Sequence, residues 1–168
     1  MTPLGAVARG ALAAAVGTLA MDAVWYRRYR RGGGSSGFRD WEFASGLNDW
    51  HEAPAPAKVG KRLFEGLFQR ELPARYARLT TNLMHWTYPS SWGALFGLVA
   101  GSRRHLSAGA GIPLGPVVFA NAYVVLPAAG LYKPIWKYDL KTIWEDLSAH
   151  LVFGTTTGVA FKLLSLVA

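Results

Sequence analysis

The chain contains no cysteine, which excludes disulfide staples, thiolate metal sites and a cysteine nucleophile. Negative charge is also scarce: 10 Asp and Glu stand against 18 Lys and Arg, for a net charge of +8, and charged residues make up only 17% of the whole. There is no long hydrophilic block to fold as a second unit, so 168 residues read as one domain. Catalytic signatures are missing too. No phosphate-binding glycine loop, nucleophile elbow, paired-histidine zinc helix or cofactor-binding motif occurs, so the reading leans away from an enzyme and expects no cofactor. The first apolar run has no basic region before it. Arg27, Arg28, Arg30 and Arg31 follow it instead, so it reads as a retained membrane anchor rather than a secretory signal.

Apolar residues are plentiful, at 51% of the chain with 19 glycines and a mean hydropathy of +0.16. That is too apolar for a typical soluble domain, and lipid is the natural solvent for the excess. The cations adjoin apolar runs instead of covering one basic face, which points to anionic headgroups and away from nucleic acid.

A membrane-spanning helix needs roughly 20 mostly apolar residues. Four stretches qualify, at about 4–26, 81–101, 112–132 and 147–167. The expected fold is therefore an all-α, polytopic bundle of four transmembrane helices. Trp25 and Tyr26 stand at the end of the first span, Trp86 and Tyr88 near the start of the second, and Arg103 and Arg104 at its end. Arg9 and Lys162 lie close enough to span ends to snorkel. The segment between the first two spans, about 38–78, is not transmembrane. It follows a flexible joint, Gly32 to Gly37, and contains an amphipathic helix in which Val59, Leu63, Phe64, Leu67 and Phe68 oppose Lys61, Arg62, Glu65, Gln69 and Arg70. That helix is expected to lie on the bundle, on headgroups or on a partner. Eleven Lys or Arg follow the first span, and Lys133, Lys137 and Lys141 follow the third. Positive-inside counting puts both connections in the cytoplasm and both termini outside.

Alternate crossings bring the end of span one, the start of span two, the end of span three and the start of span four to one face. Asp22, Asn82, His85 and His150 all lie within about two turns of that face, and Glu145 and Asp146 stand just outside it. Pro89 cannot donate to the carbonyl of His85, nor Pro127 to that of Tyr123. A polar pocket of Asp22, Asn82, His85, Glu145 and His150 is expected there, because ionisable groups at membrane depth face protein or water rather than lipid. The dull alternatives are a structural ion pair between Asp22 and Arg27, Arg28 or a histidine, and Glu145 and Asp146 serving a helix N-terminus. Asn121 reads as interhelical glue. Asp49, His51 and Glu52 read as surface. Gly93, Gly97 and Gly101 on the second span, and Gly154 and Gly158 on the fourth, recur every four residues and predict close packing between helices, or dimerisation.

The stretch from His85 through Leu126-Pro127, Gly130-Leu131 and Pro134 to Trp144-Glu145 and Ala149-His150-Leu151-Val152-Phe153-Gly154 resembles the YagU-like family of small bacterial inner-membrane proteins. The likeness covers mainly the C-terminal half. It implies membrane class and a bacterial inner-membrane location and carries no biochemical activity. Three functions are left open: a non-enzymatic protein acting through association with a membrane partner or a second copy, a pathway for protons or a small solute through the polar pocket, and a bis-histidine haem or metal protein using His85 and His150.

Overall fold

A computed structural model of the chain describes residues 1–102 and 107–166. Among these, all regular structure is helical: α1 (Pro3–Arg31), α2 (Phe38–Glu42), α3 (Ala55–Phe68), α4 (Ala77–Gly101), α5 (Leu114–Ala128) and α6 (Leu140–Leu166), with short 3-10 turns before α4, before α5 and before α6. Arg103 and Arg104, expected to close the second span, and Val167, at the end of the fourth, lie outside the described residues.

Among the described residues, three helices are long and apolar enough to cross a membrane: α1, α5 with the turn before it (Gly109–Ala128), and α6. The sequence reading expected four. At 25 residues α4 has the length, but Arg78, Thr80, Thr81, Asn82, His85, Thr87, Ser90 and Ser91 crowd its first two-thirds and dilute its apolar character. The helices also outrun or undershoot the expected spans. Helix α1 begins with Thr2 accepting the Gly5 N–H (3.1 Å) and Pro3 in its first turn, and continues to Arg31. Helix α5 ends at Ala128, and Gly130, in the left-handed region at φ +66°, turns the chain out of it.

Helix α6 starts at Leu140, seven residues before the expected span, so Glu145 and Asp146 do not serve its N-terminus. Asp139 does. Its Oδ1 accepts the Thr142 N–H at 2.8 Å and its Oδ2 accepts the Thr142 hydroxyl at 2.8 Å. These bonds, the backbone N–H first, hold the Asp139 carboxyl below the usual carboxylate range. A depressed folded pKa means that the cap's contribution is present above the ordinary value of 3.8 and is lost as pH falls below it. Asp139→Ala should therefore lower the melting temperature at neutral pH, Asp139→Asn by less, and the gap between Asp139→Ala and the parent should close on acidification. A gap that stays constant down to strong acid would show that the charged cap contributes nothing.

The long helices pack in the order α4, α1, α6, α5, and α3 leans on α4 and touches α5. Small residues set this arrangement. The buried stripe of α1 is Ala6, Gly10, Ala14, Thr18 and Asp22, one residue every turn. Against it α4 presents Gly101, Gly97, Gly93, Pro89 and His85 at the same spacing. A Cβ at Gly97 would fall on the Ala6 carbonyl oxygen and 3.0 Å from the Gly10 Cα, and one at Gly101 would be 2.9 Å from the Ala6 Cβ. The other seam repeats the device: a Cβ at Gly111 would lie 2.6 Å from the Gly158 Cα, and one at Gly154 would lie 3.0 Å from the Gly115 Cα. On its other side α1 meets α6, where Gly17 backs onto Phe153 and Thr157. The glycine ladders are thus filled within the chain.

The joint from Gly32 to Gly37 carries hydrogen bonds back to the end of α1. Ser36 donates its N–H to the Tyr29 hydroxyl and accepts from the Tyr26 hydroxyl, both at 3.1 Å, and Arg30 donates to the Ser35 carbonyl at 3.0 Å. The docked face of α3 is Ala57, Gly60 and Phe64. A Cβ at Gly60 would lie 2.8 Å from the Met84 Cγ and from the Thr80 Cγ2, while Leu63, Leu67 and Phe68 of the expected apolar stripe stay exposed. Lys61 and Glu65 pair at 2.6 Å on its flank, and the Asp49 side chain caps its own turn by accepting the N–H groups of His51 and Glu52.

Candidate functional site: a buried carboxylate-histidine triad beside a small cavity

The antiparallel register of α1 and α4 builds the site. Pairing Gly101 with Ala6, Gly97 with Gly10 and Gly93 with Ala14 advances four residues on each helix. Two further steps bring Pro89 to Thr18 and His85 to Asp22. His85 Nε2 lies 3.0 Å from Asp22 Oδ2, and Asp22 is only 2% exposed. Of the partners open to Asp22, the histidine is the one it takes. Arg28 goes elsewhere, donating to the Glu145 carbonyl (2.5 Å) and the Ser148 hydroxyl (2.8 Å) of α6 while stacking over Trp25.

A third group arrives from the connection. Helix α2 folds back onto the end of α1 through aromatic contacts, with Tyr26 ring centroids 5.1 Å from Phe38 and 5.5 Å from Trp41. On the far side the Phe43 carbonyl accepts from Arg78 (3.0 Å) and Asn82 (3.1 Å) of α4. Clamped between them, Glu42 turns inward, and its Oε1 comes within 3.3 Å of His85 Nε2. Sequence reasoning missed Glu42. The signal available was an acidic residue flanked directly by two aromatic ones, Trp41 and Phe43.

The second glycine seam ends in polar residues in the same way. Stepping from Gly111 with Gly158 through Gly115 with Gly154 leads to Phe119 with His150 and Tyr123 with Asp146. The Phe119 and His150 rings are 5.8 Å apart, and the Tyr123 hydroxyl faces the Asp146 carboxylate. His150 Nδ1 lies 2.9 Å from the Asp146 carbonyl oxygen and 3.1 Å from its Oδ1. Tyr123, Tyr132 and Tyr138 cluster around this corner in tilted and edge-to-face contacts.

Between the two polar ends is a cavity of about 170 Å³ whose wall includes His85, His150, Asp146, Tyr132 and, from α3, Pro56. Of the five expected pocket residues, His85 and His150 line it, and Asp22 stands behind His85. Asn82 and Glu145 do not take part. Asn82 sits three residues from His85, about 60° round the helix, and faces the α2 connection. Glu145 is one residue, about 100°, off the row of Asp146 and His150, and it contributes its backbone carbonyl to Arg28. Asn121 donates to the Tyr88 hydroxyl at 2.7 Å and ties α5 to α4.

Searches against protein families, curated proteins and solved structures find no match. The chemistry of the site therefore rests on its own geometry. At roughly 30 Å³ per water, 170 Å³ holds about five or six waters. It falls below the ~300 Å³ at which pockets for drug-sized ligands begin and matches ions, water and molecules of a few heavy atoms.

Proposed function

We propose that the chain is an integral membrane protein in which all four long helices span the bilayer, and that it binds a small polar ligand in a vestibule open to one membrane face. The membrane reading is supported by an inverted distribution of side chains. Gly and Ala fill the helix seams, while Leu12, Val16 and Leu19 of α1, Leu95 and Val99 of α4, Val117 and Val124 of α5, and Val159 and Leu163 of α6 are exposed. A water-soluble bundle buries its large apolar residues, whereas a lipid-facing one packs on small ones. Helix α4 joins as the fourth span because its register with α1 runs from Gly101 to His85, and Leu79 and Leu83 extend its apolar outer face. Positive-inside counting puts the long connections in the cytoplasm and the termini outside, and the resemblance to YagU-like proteins favours the bacterial inner membrane.

The binding reading is carried by one observation: His85, held by two buried carboxylates, and His150, held by Asp146, face one small cavity. Toward the other end of the bundle, the described core is Ala13, Ala100, Phe96 and Phe161. The Thr18 and Thr157 hydroxyls there are bonded to carbonyls of their own helices. A ligand therefore enters and leaves by the same face, and a route across the membrane needs more than one chain. A second reading, association with headgroups or a membrane partner, draws its support from the exposed Leu63, Leu67 and Phe68 on α3. The glycine ladders lend it none, since their faces are occupied.

Single cysteines test both parts. Ser36→Cys and Lys137→Cys should react with a membrane-impermeant thiol reagent from the same face, and labelling from opposite faces would remove the four-span arrangement. Ala122→Cys, in the cavity wall, should react with a small charged thiol reagent from that face only. If it is inert, or is reached from the other face, there is no vestibule.

A further inference from the structure

We propose that Asp22, Glu42 and His85 bind one divalent first-row transition-metal ion. This deepens the reading of a one-sided vestibule and rests on it. Asp22 Oδ2, Glu42 Oε1 and His85 Nε2 all lie within 4.8 Å of one another. The three donors come from α1, α2 and α4, so their convergence is a product of the tertiary fold and not of neighbouring positions on one helix surface.

Glu42 points most directly to a ligand. Its residue is 9% exposed, and its Oε1 is buried without a hydrogen-bond partner. The 3.3 Å approach to His85 Nε2 makes an ion-pair contact, but it does not form a hydrogen bond. The reason lies in the imidazole: Nε2 carries at most one proton, and Asp22 stands ready for it at 3.0 Å. A second carboxylate oxygen aimed at the same nitrogen has nothing left to accept. Leaving it buried that way is unfavourable, and a cation seated among the three atoms would satisfy it.

Charge leads to the same conclusion. Two ionised carboxylates with an imidazolium leave one net negative charge in a buried site. With a neutral imidazole and a divalent cation the sum is zero. Arg28 and Arg78 do not neutralise it, because Arg28 bonds α6 and Arg78 bonds the Phe43 carbonyl and the Ser45 hydroxyl. Donor type then narrows the ion. Magnesium and calcium prefer all-oxygen shells, and the three converging donors, two carboxylate oxygens and an imidazole nitrogen, include no soft sulfur for copper(I). Two carboxylates and one imidazole suit Mn²⁺, Fe²⁺ or Zn²⁺, and three protein ligands leave positions for solvent or a small ligand from the adjoining cavity.

The test uses the full chain, purified in detergent, stripped with a chelator and equilibrated with Mn²⁺ or Zn²⁺. We expect one ion per chain, retained against millimolar Mg²⁺ and Ca²⁺. Pulsed EPR of the Mn²⁺ form should show coupling to a single imidazole nitrogen. Glu42→Gln and Asp22→Asn, which keep shape and lose charge, should each weaken binding at least about 100-fold, since even residues outside a metal's ligand shell are worth 10- to 100-fold. His51→Gln, in an exposed turn outside the vestibule, should leave binding unchanged. No metal uptake by folded parent protein, equal binding of Mg²⁺, coupling to two imidazoles, or full affinity in Glu42→Gln would each overturn the proposal. The EPR result needs no variant, so it decides the matter if the substitutions misfold. The Ala122→Cys labelling is read on metal-free protein: a reactive Ala122→Cys with no metal uptake leaves the vestibule standing and removes only the metal.

Discussion

Gly97→Leu should prevent the bundle from forming or lower its melting temperature by about 10 °C or more in detergent. Overfilling a well-packed core costs about 1–3 kcal/mol where side chains can yield. At Gly97 the obstacle is the α1 backbone: a Cβ would meet the Ala6 carbonyl and the Gly10 Cα, and no rotamer relieves that. An energy at or beyond the top of that range corresponds to the stated shift for a chain of this length. The control is Gly66→Ala on the exposed side of α3, where a Cβ meets nothing within 4 Å. It should be neutral or stabilise by up to ~1 kcal/mol through helix propensity. If Gly97→Leu melts like the parent, α1 and α4 do not pack in the register described, and the site that depends on that register goes with it.

His85→Leu, in metal-free protein, should destabilise by roughly 3–5 kcal/mol, the usual effect of removing one partner from a buried ion pair. The substitution preserves bulk, so the loss measures charge and not a cavity. Asp22, 2% exposed, would be left facing Glu42 with no cation between them. Adding Asp22→Asn and Glu42→Gln in the same background should restore much of the stability, because an uncharged triple variant has no unpaired charge to bury. Thermal or denaturant unfolding of the parent, His85→Leu and the triple variant decides it. A triple variant no more stable than His85→Leu alone would mean that the two carboxylates carry little charge in the fold and that the triad is merely packed.

Much of this site is legible along single helices, though not in the form first read. Asp22, His85 and His150 stand out as ionisable residues in apolar runs, and the ladders Gly93, Gly97, Gly101 and Gly154, Gly158 stand out by their spacing. The connection between these two observations is that His85 and Pro89 continue the first ladder, and Asp146 and His150 the second, each one turn further on. The seam that lets two backbones touch therefore also aims the polar residue at its end. That argument separates Asp146 from Glu145, and His85 from Asn82, by angle alone. The start of α6 departs from the edge of its apolar run for a different reason. Apolarity marks where lipid begins, whereas the helix begins where Asp139 caps it, about two turns earlier.

Glu42 was beyond such reasoning. Its place depends on α2 folding back across a glycine-rich turn, and that depends on Tyr26, Tyr29, Phe38 and Trp41 meeting and on Arg78 and Asn82 reaching the Phe43 carbonyl. None of those contacts has a periodicity, because they link elements on different axes. The sequence by itself determined the class of this protein: helices dictated by apolar runs, and small-residue rows that dictate how closely those helices approach, since both follow from spacing along one chain segment. The tertiary structure alone decided that two carboxylates from different helices share one imidazole nitrogen, because a side chain in a connection is positioned by what it packs against and not by its neighbours in sequence.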